Sequence, residues 1–598
     1  MNRKLSVLGS LWLGVLVVVC CPCPLFGQYV YVSSVSNSAS YYGANLPGYG
    51  IAQGSLMVLF GYQMGPGQLV QSPGFPLPLI LSETLVTVTV NGITRTAPIL
   101  YTSAGQVAAL LPSSTPVGSG TLTVTYKGTA SYPIGIVVVP SAFGIYSLIS
   151  NGLGLGVFTT PDYKVKTLAD SFRPNDVVVL WGTGLGAVAG DDTAGPLPGQ
   201  QFPGAEIYVG NQRAKVLYAG RSGCCGGLDQ INFEIPAGVE GCFVPVAVRN
   251  GGVTSNFVSI PIASGGGACS EKAGIPADLL RSAQSGQPLK LSAVWLGPIE
   301  ILQGIGYSLK STVAGRLSGA LHMKVTEKQV LELLRATSPE RQKAILSLVK
   351  QSTPNTLERL ARLRAVGRIA AGLDQQGSAG TFGQVSSLSD VVTSYGEILP
   401  PPGSCTVYSG NGLGFQKTGF DAGPELILTG PLGTRSLTRA EKGQYQTSFG
   451  GGFNSGQLPA GTYSVSSIGG ADVGPFTASI TVPGNLRWTN KPASAAVDRT
   501  VPLDVTWSGG AGSGYVVFGG SATYNQNGVT RMFACVEDIS KGRLTVPTFV
   551  LGALPPAASG KGYLFLGDHP MQNRFSAKGL DTAFIAVLDT DNLAVTFR

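Results

Sequence analysis

Few residues in this chain have the types and spacing that chemistry demands. Its 598 residues include two histidines, His322 and His569. A serine triad needs a histidine held between nucleophile and carboxylate, and neither histidine has such a setting; His569, between Asp568 and Pro570, reads as part of a turn. Gly184-Leu-Gly186-Ala-Val-Ala189 has the spacing of a dinucleotide loop after a strand. The next residues, Gly-Asp-Asp-Thr-Ala-Gly-Pro, cannot open the helix that a pyrophosphate requires. Asp191-Asp192 and Asp589-Thr-Asp591 resemble calcium contacts but lack the complete loop spacing. Paired carboxylates for glycoside hydrolysis need be close only in space, so that alternative stays open. The expectation is no catalytic residue, no metal and no cofactor.

The cysteines carry a clearer message. Three of the nine, Cys20, Cys21 and Cys23, lie in a leader-like segment, leaving Cys224, Cys225, Cys242, Cys269, Cys405 and Cys535. Six cysteines in an exported chain are best read as disulfides. A bond between adjacent Cys224 and Cys225 is strained. One of that pair is therefore expected to bond Cys242 and the other Cys269, while Cys405–Cys535 ties two C-terminal segments together. Zinc is disfavoured, with no C-x-x-C pair and no histidine nearby.

Export is read from the first 27 residues. Arg3 and Lys4 precede an apolar core at Leu11–Val19, and Pro22, Pro24 and Gly27 mark processing near Gly27–Gln28. The core falls short of a ~20-residue membrane span, and Val19 before Cys20 does not suit a lipoprotein. No later stretch spans a bilayer, so no transmembrane segment is expected after removal of the signal.

Removing Arg3 and Lys4 takes the net charge from +8 to +6, that is 38 basic minus 32 acidic residues. The excess sits at Lys324–Arg368, where ten basic residues face four acidic ones. Within it Arg359, Arg362, Arg364 and Arg368 accompany an apolar stripe of Leu357, Leu360, Leu363, Val366 and Ile369. Such a helix keeps its charged side in water, or offers it to an anionic membrane or acidic partner. Nucleic acid is a poor partner for an exported chain with this distribution.

The elements that must position these residues are mainly strands. Gly at 84 and Pro at 39, without a three-residue period, favour turn-rich β structure, and 43% hydrophobic residues suffice for ordinary cores. Two segments repeat one pattern. Ser55–Gly61 parallels Asp176–Gly182, each an apolar strand ending in aromatic-Gly. Val90-Asn-Gly92 and Val209-Gly-Asn211 supply hairpin turns. Ile99–Tyr101 matches Val216–Tyr218, Gln106–Pro112 matches Gln230–Pro236, Thr121–Tyr126 matches Phe243–Arg249, and Ile134–Val139 matches Phe257–Ile262. Tyr101, Tyr218, Gln106 and Gln230 recur in both copies, which suits a fold requirement better than a single site.

Val216–Pro236, with its Gly-Cys-Cys-Gly-Gly centre, and the later Gly-Cys-Phe-Val-Pro-Val-Ala-Val resemble an uncharacterised domain of exported proteins of Solibacter-type Acidobacteria. The Gly-Thr-Gly-Leu-Gly pattern in Leu180–Gly186 is similar to the IPT/TIG branch of immunoglobulin-like folds. The resemblance covers about Tyr31–Ser270 and, more loosely, the C-terminal part; it implies fold and export and brings no catalytic residues.

The predicted fold is mainly β: tandem immunoglobulin-like β-sandwiches with a small helical insert. The expected divisions are a signal peptide (1–27), sandwiches at 28–140 and 141–264, and a mixed region at 270–400. That region carries three helices at 326–372, opened by the capping box Thr326-Glu-Lys-Gln329 and by Pro339 and Pro354. Gly265–Gly267 reads as a linker. Two further sandwiches, or one larger one, follow at 404–484 and 485–598. Trp488, Trp507, Tyr515 and Phe518 are candidates for a carbohydrate platform but suit a core better. The expected function is a secreted or cell-surface protein without catalysis that binds or scaffolds. Its partner would be an unknown extracellular ligand, a polysaccharide or an envelope protein. The alternative is a carbohydrate-active enzyme with accessory immunoglobulin-like modules.

Overall fold

Alternating apolar residues form the cores of two successive sandwiches in the computed structural model. The structure describes residues 29–148, 150–270, 289–296 and 380–385, and then 399–409, 420–446 and 459–598 with short gaps. The expected signal, His322, the 326–372 helices and Arg359, Arg362, Arg364 and Arg368 lie outside the described residues.

In Thr84–Val90 every second side chain is buried, as the two-residue period of a half-buried strand requires. The first sandwich has one sheet in the order Tyr31–Asn37, Leu56–Tyr62, Gln106–Leu110, Ile99–Thr102. The opposing sheet runs Ile134–Val139, Gly118–Tyr126, Thr84–Val90, with Ile93–Thr96 beside the last. The second sandwich repeats this pairing: Gly144–Ile145, Val177–Thr183, Asp229–Glu234, Lys215–Arg221 against Val258–Ile262, Gly241–Asn250, Glu206–Val209, Gln212–Arg213. Separate apolar cores fill the two, one around Val86, Val88 and Leu122, the other around Ile207, Phe233 and Val246. The Asn91-Gly92 hairpin has φ 51° and 76°, the left-handed pair that a two-residue turn of this hand needs.

Gly265–Gly267 is not a linker. The Gly267 carbonyl accepts from the Ser171 backbone N–H and hydroxyl, both at 2.7 Å, and Cys269 is bonded to Cys242, so the chain stays pinned to the second sandwich.

Beyond it the strands interleave rather than dividing at 484/485. Ser404–Ser409 pairs with Thr530–Asp538, in a six-stranded sheet that also contains Tyr515–Thr523, Ala557–His569 and Asp589–Phe597. Leu289–Leu296 is a strand, antiparallel to Gly380–Val385 and parallel to Thr582–Val587. It belongs to a nine-stranded sheet running from Phe476–Val482 to Asn573–Phe575. That sheet curls until its ends meet, with the Phe476 and Phe575 rings 4.9 Å apart. Strands from 404–484 and from 485–598 therefore lie together in these two sheets. Thr548–Leu551 is the one α-helical turn among the described residues, and no described helix is long and apolar enough to cross a membrane.

The modules are docked on one another. Phe549 stacks on Tyr208 of the second sandwich at 4.1 Å, and the Arg531 guanidinium lies 3.8 Å from the centre of the Tyr42 ring of the first. Arg531 is buried, and its Nη1 donates to the Ala553 carbonyl at 2.5 Å.

Candidate functional site

Most of the chemically suggestive residues meet at the junction of the first two sandwiches, where they serve packing. Thr183 ends its strand with a hydroxyl that accepts from the Leu56 N–H at 2.9 Å and donates to the Gly227 carbonyl at 2.6 Å. At Gly184, with φ 106°, a Cβ would stand 2.5 Å from the Ala142 carbonyl oxygen. The Gly184–Gly186 segment thus makes room for the chain passing between sandwiches. No helix follows it, so the dinucleotide spacing has no phosphate-binding counterpart. Gly54, at φ 69°, makes similar room, since a Cβ there would meet the Arg221 guanidinium and the Ser113 hydroxyl.

Arg221 and Asp229 form an ion pair whose side chains are 2% and 0% exposed. Arg221 Nη2 also donates to the Gly186 carbonyl at 2.6 Å, and the Leu185 N–H donates to Asp229 at 2.8 Å. Burial pushes the Asp229 carboxyl up, while the Arg221 charge and the Leu185 and Gly184 N–H groups oppose that shift. Asp192, also buried, accepts from the Ser113 N–H at 3.1 Å and hydroxyl at 2.5 Å, another link between the sandwiches. Exposed Asp191 accepts from the Thr193 hydroxyl and N–H, which hold its carboxyl below the ordinary range.

Arg221 and Asp229 are register partners, so residues 222–228 form the loop that carries Cys224 and Cys225. They are bonded to each other, and Cys242 to Cys269. This corrects the expected pairing, in which each neighbour reached a distant cysteine. Cys242 and Cys269, the partners expected for the two neighbours, are taken by each other. Within the loop Gly227 approaches Leu110 and Leu56 of the first sandwich so closely that a Cβ would stand 2.7 Å from the Leu110 side chain. Cys405 and Cys535 are bonded and are also register partners, so the link joins neighbouring strands of one sheet.

The remaining candidates do not converge. Asp591 pairs with Lys491 at 2.6 Å, and His569 ends its strand opposite Tyr515. Among the described residues no three His, Cys, Asp or Glu side chains gather as metal ligands. Gln106 donates to the Tyr101 hydroxyl at 2.6 Å. In the second copy the pair is not joined in the same way: Tyr218 donates to the Arg221 carbonyl at 2.6 Å, and Gln230 to Asn232 at 2.8 Å.

Trp488, Trp507 and Phe518 are buried core residues, and Tyr515 packs partly buried against a small apolar cluster. The exposed aromatics lie elsewhere. Tyr29, Tyr31, Tyr62 and Tyr132 of the first sandwich are 50%, 48%, 62% and 74% exposed. Tyr31 lies directly across from Tyr62, on the edge strand of its sheet. The Tyr29 ring is 6.2 Å from that of Tyr31, with planes 18° apart, and 6.0 Å from that of Tyr132. Sequence reasoning missed this strip, although the alternation Tyr29-Val-Tyr31-Val already placed two tyrosines on one face.

No protein-family model matches the chain, and no curated protein matches it. Among solved structures, it is similar to SGBP-B from a xyloglucan utilization locus in Bacteroides uniformis, at 13% identity and a TM-score of 0.14, covering 39% of this chain and 49% of that one. The chain thus spans about half of that protein's length. Domains 5–6 of the S-layer protein SbsC match at 15% identity and a TM-score of 0.16, covering 39% of this chain and 98% of theirs. Domains 4–9 of SbsC match at 12% identity and a TM-score of 0.16, covering 95% and 83%. Likeness at this level carries no argument about function.

Proposed function

We propose that this is an extracytoplasmic binding or scaffolding protein without catalysis. In this reading the docked sandwiches form a rigid frame that presents a contact surface. The observation that carries the reading is the strip of exposed tyrosines on the edge of the first sandwich. Singly scattered exposed apolar residues are ordinary on a protein surface, whereas exposed rings gathered at one place point to a contact site. Tyrosine offers a large, rigid ring with a polar tip, and so binds with little loss of conformational freedom. Three disulfides suit an oxidising compartment and agree with an exported or surface-attached protein. Kinship with the acidobacterial exported domains belongs to the same proposal. The test is co-sedimentation of the oxidised 28–598 chain with envelope fractions and insoluble polysaccharides, with soluble sugar assayed in the same tubes. Retention without released sugar supports the reading, and sugar release replaces it with the carbohydrate-active alternative.

A further inference from the structure

We infer that Tyr29, Tyr31 and Tyr132, with Tyr62 beside them, form a subsite for the pyranose faces of an uncharged polysaccharide. This rests on the binding reading above and adds to it a ligand class and a place. Three observations carry it.

The first is ring geometry. Tyr29 and Tyr31 are nearly parallel and adjacent, and Tyr132 is inclined by 56° to Tyr29. The stacked Tyr29–Tyr31 pair and the tilted Tyr132 ring form one exposed aromatic cluster, with at least half of the Tyr29 and Tyr132 side chains open to water. A sugar ring has a hydrocarbon face and a hydroxyl rim, so it matches an aromatic face bordered by phenol hydroxyls. The second is availability. None of the four hydroxyls makes a hydrogen bond among the described residues, which leaves each free to meet a sugar hydroxyl. The third is charge. No Asp, Glu, Lys or Arg occurs between Tyr29 and Ser82, nor between Gly128 and Pro161, the segments that supply all four rings. The nearest preceding cation, Lys127, lies over the Tyr126 ring at 5.5 Å. Segments without charge give a polyanion nothing to pair with, which favours an uncharged ligand over a charged one.

The experiment uses the oxidised 28–598 chain in native affinity gels and calorimetry. The probes are soluble neutral polysaccharides (a mixed-linkage β-glucan, a xyloglucan and a galactomannan), with alginate as the acidic control. The expected result is binding to at least one neutral polymer and none to alginate. Tyr29→Ala, Tyr31→Ala and Tyr132→Ala should each weaken binding about tenfold, or about 1.4 kcal/mol, and the triple variant should abolish it. Tyr132→Phe keeps the ring and should stay within about threefold of wild type. Unchanged melting temperatures would show that the variants fold. Alginate binding, or neutral binding untouched by the triple variant, would overturn the inference. Failure to bind any neutral polymer while an envelope fraction is still retained would overturn it too, and would leave the broader binding reading standing. Sedimentation velocity separates the remaining occupant: a dimer lost in the triple variant would show that a second copy of the chain covers the strip, again overturning the inference.

Discussion

Replacing Asp229 with alanine should destabilise the second sandwich more than almost any other single change there. The carboxylate is fully buried and pairs with Arg221, itself 2% exposed. Without it the guanidinium keeps the Gly186 carbonyl as a partner but loses its counter-charge, and the Leu185 N–H loses its acceptor. Breaking one side of a buried pair costs about 3–5 kcal/mol, because a buried charge is left uncompensated. The orphaned N–H moves the estimate toward the upper end of that range. At roughly 2–4 °C per kcal/mol, a cost of about 4–5 kcal/mol should lower the melting transition by about 10–20 °C. The assay is urea and thermal unfolding of the 28–598 chain, comparing wild type, Asp229→Ala, and the apolar double variant Arg221→Met/Asp229→Leu. The double variant removes both charges but leaves the Leu185 N–H, and now the Gly186 carbonyl, without a side-chain partner, so it should recover only the share of the loss that comes from the uncompensated charge, about half. An Asp229→Ala cost below about 1 kcal/mol would refute the buried-charge reasoning, because solvated pairs fall in that range. A double variant as unstable as the single one would refute it as well.

Other consequences follow from the same contacts. Cys405→Ala should cost about 2–5 kcal/mol, seen as a lower melting temperature that added reductant reproduces in wild type, since the bond closes a separation of 130 residues. Trp507→Ala should cost about 3–5 kcal/mol in denaturant titrations, because it opens a core cavity and leaves the Ile539 carbonyl without its indole donor. Tyr29→Ala, on an exposed ring, should stay within about 0.5 kcal/mol in the same titration. Thr183→Val removes the hydroxyl shared by Leu56 and Gly227 and should cost about 1–3 kcal/mol, with faster proteolytic cleavage near the junction as its readout.

What was legible in the sequence was local. The alternation in Thr121–Tyr126 and the repeated aromatic-Gly strand ends depend on side-chain period and turn chemistry, which neighbours along the chain determine. The Cys224–Cys225 bond was not legible, because only the tertiary fold brings Cys242 to Cys269 and so leaves the two neighbours to each other. Nor was the sharing of strands in the C-terminal half. Leu291 pairs in parallel with Thr582, and a parallel partner that far away leaves no turn signal between the strands. Trp488, Trp507 and Phe518 read correctly as core residues, since large aromatics dominate cores. The tyrosine strip needed tertiary structure: alternation put Tyr29 and Tyr31 on one face, but nothing local brings Tyr132 beside them.

The most direct test of the central claim follows bound protein and released sugar together over time, with the 28–598 chain on envelope fractions and insoluble polysaccharides. A binding or scaffolding protein predicts a bound fraction that rises to a plateau and stays there, with soluble sugar at the level of the protein-free blank. A bound fraction that declines as soluble sugar accumulates would contradict that claim and assign the chain to carbohydrate cleavage.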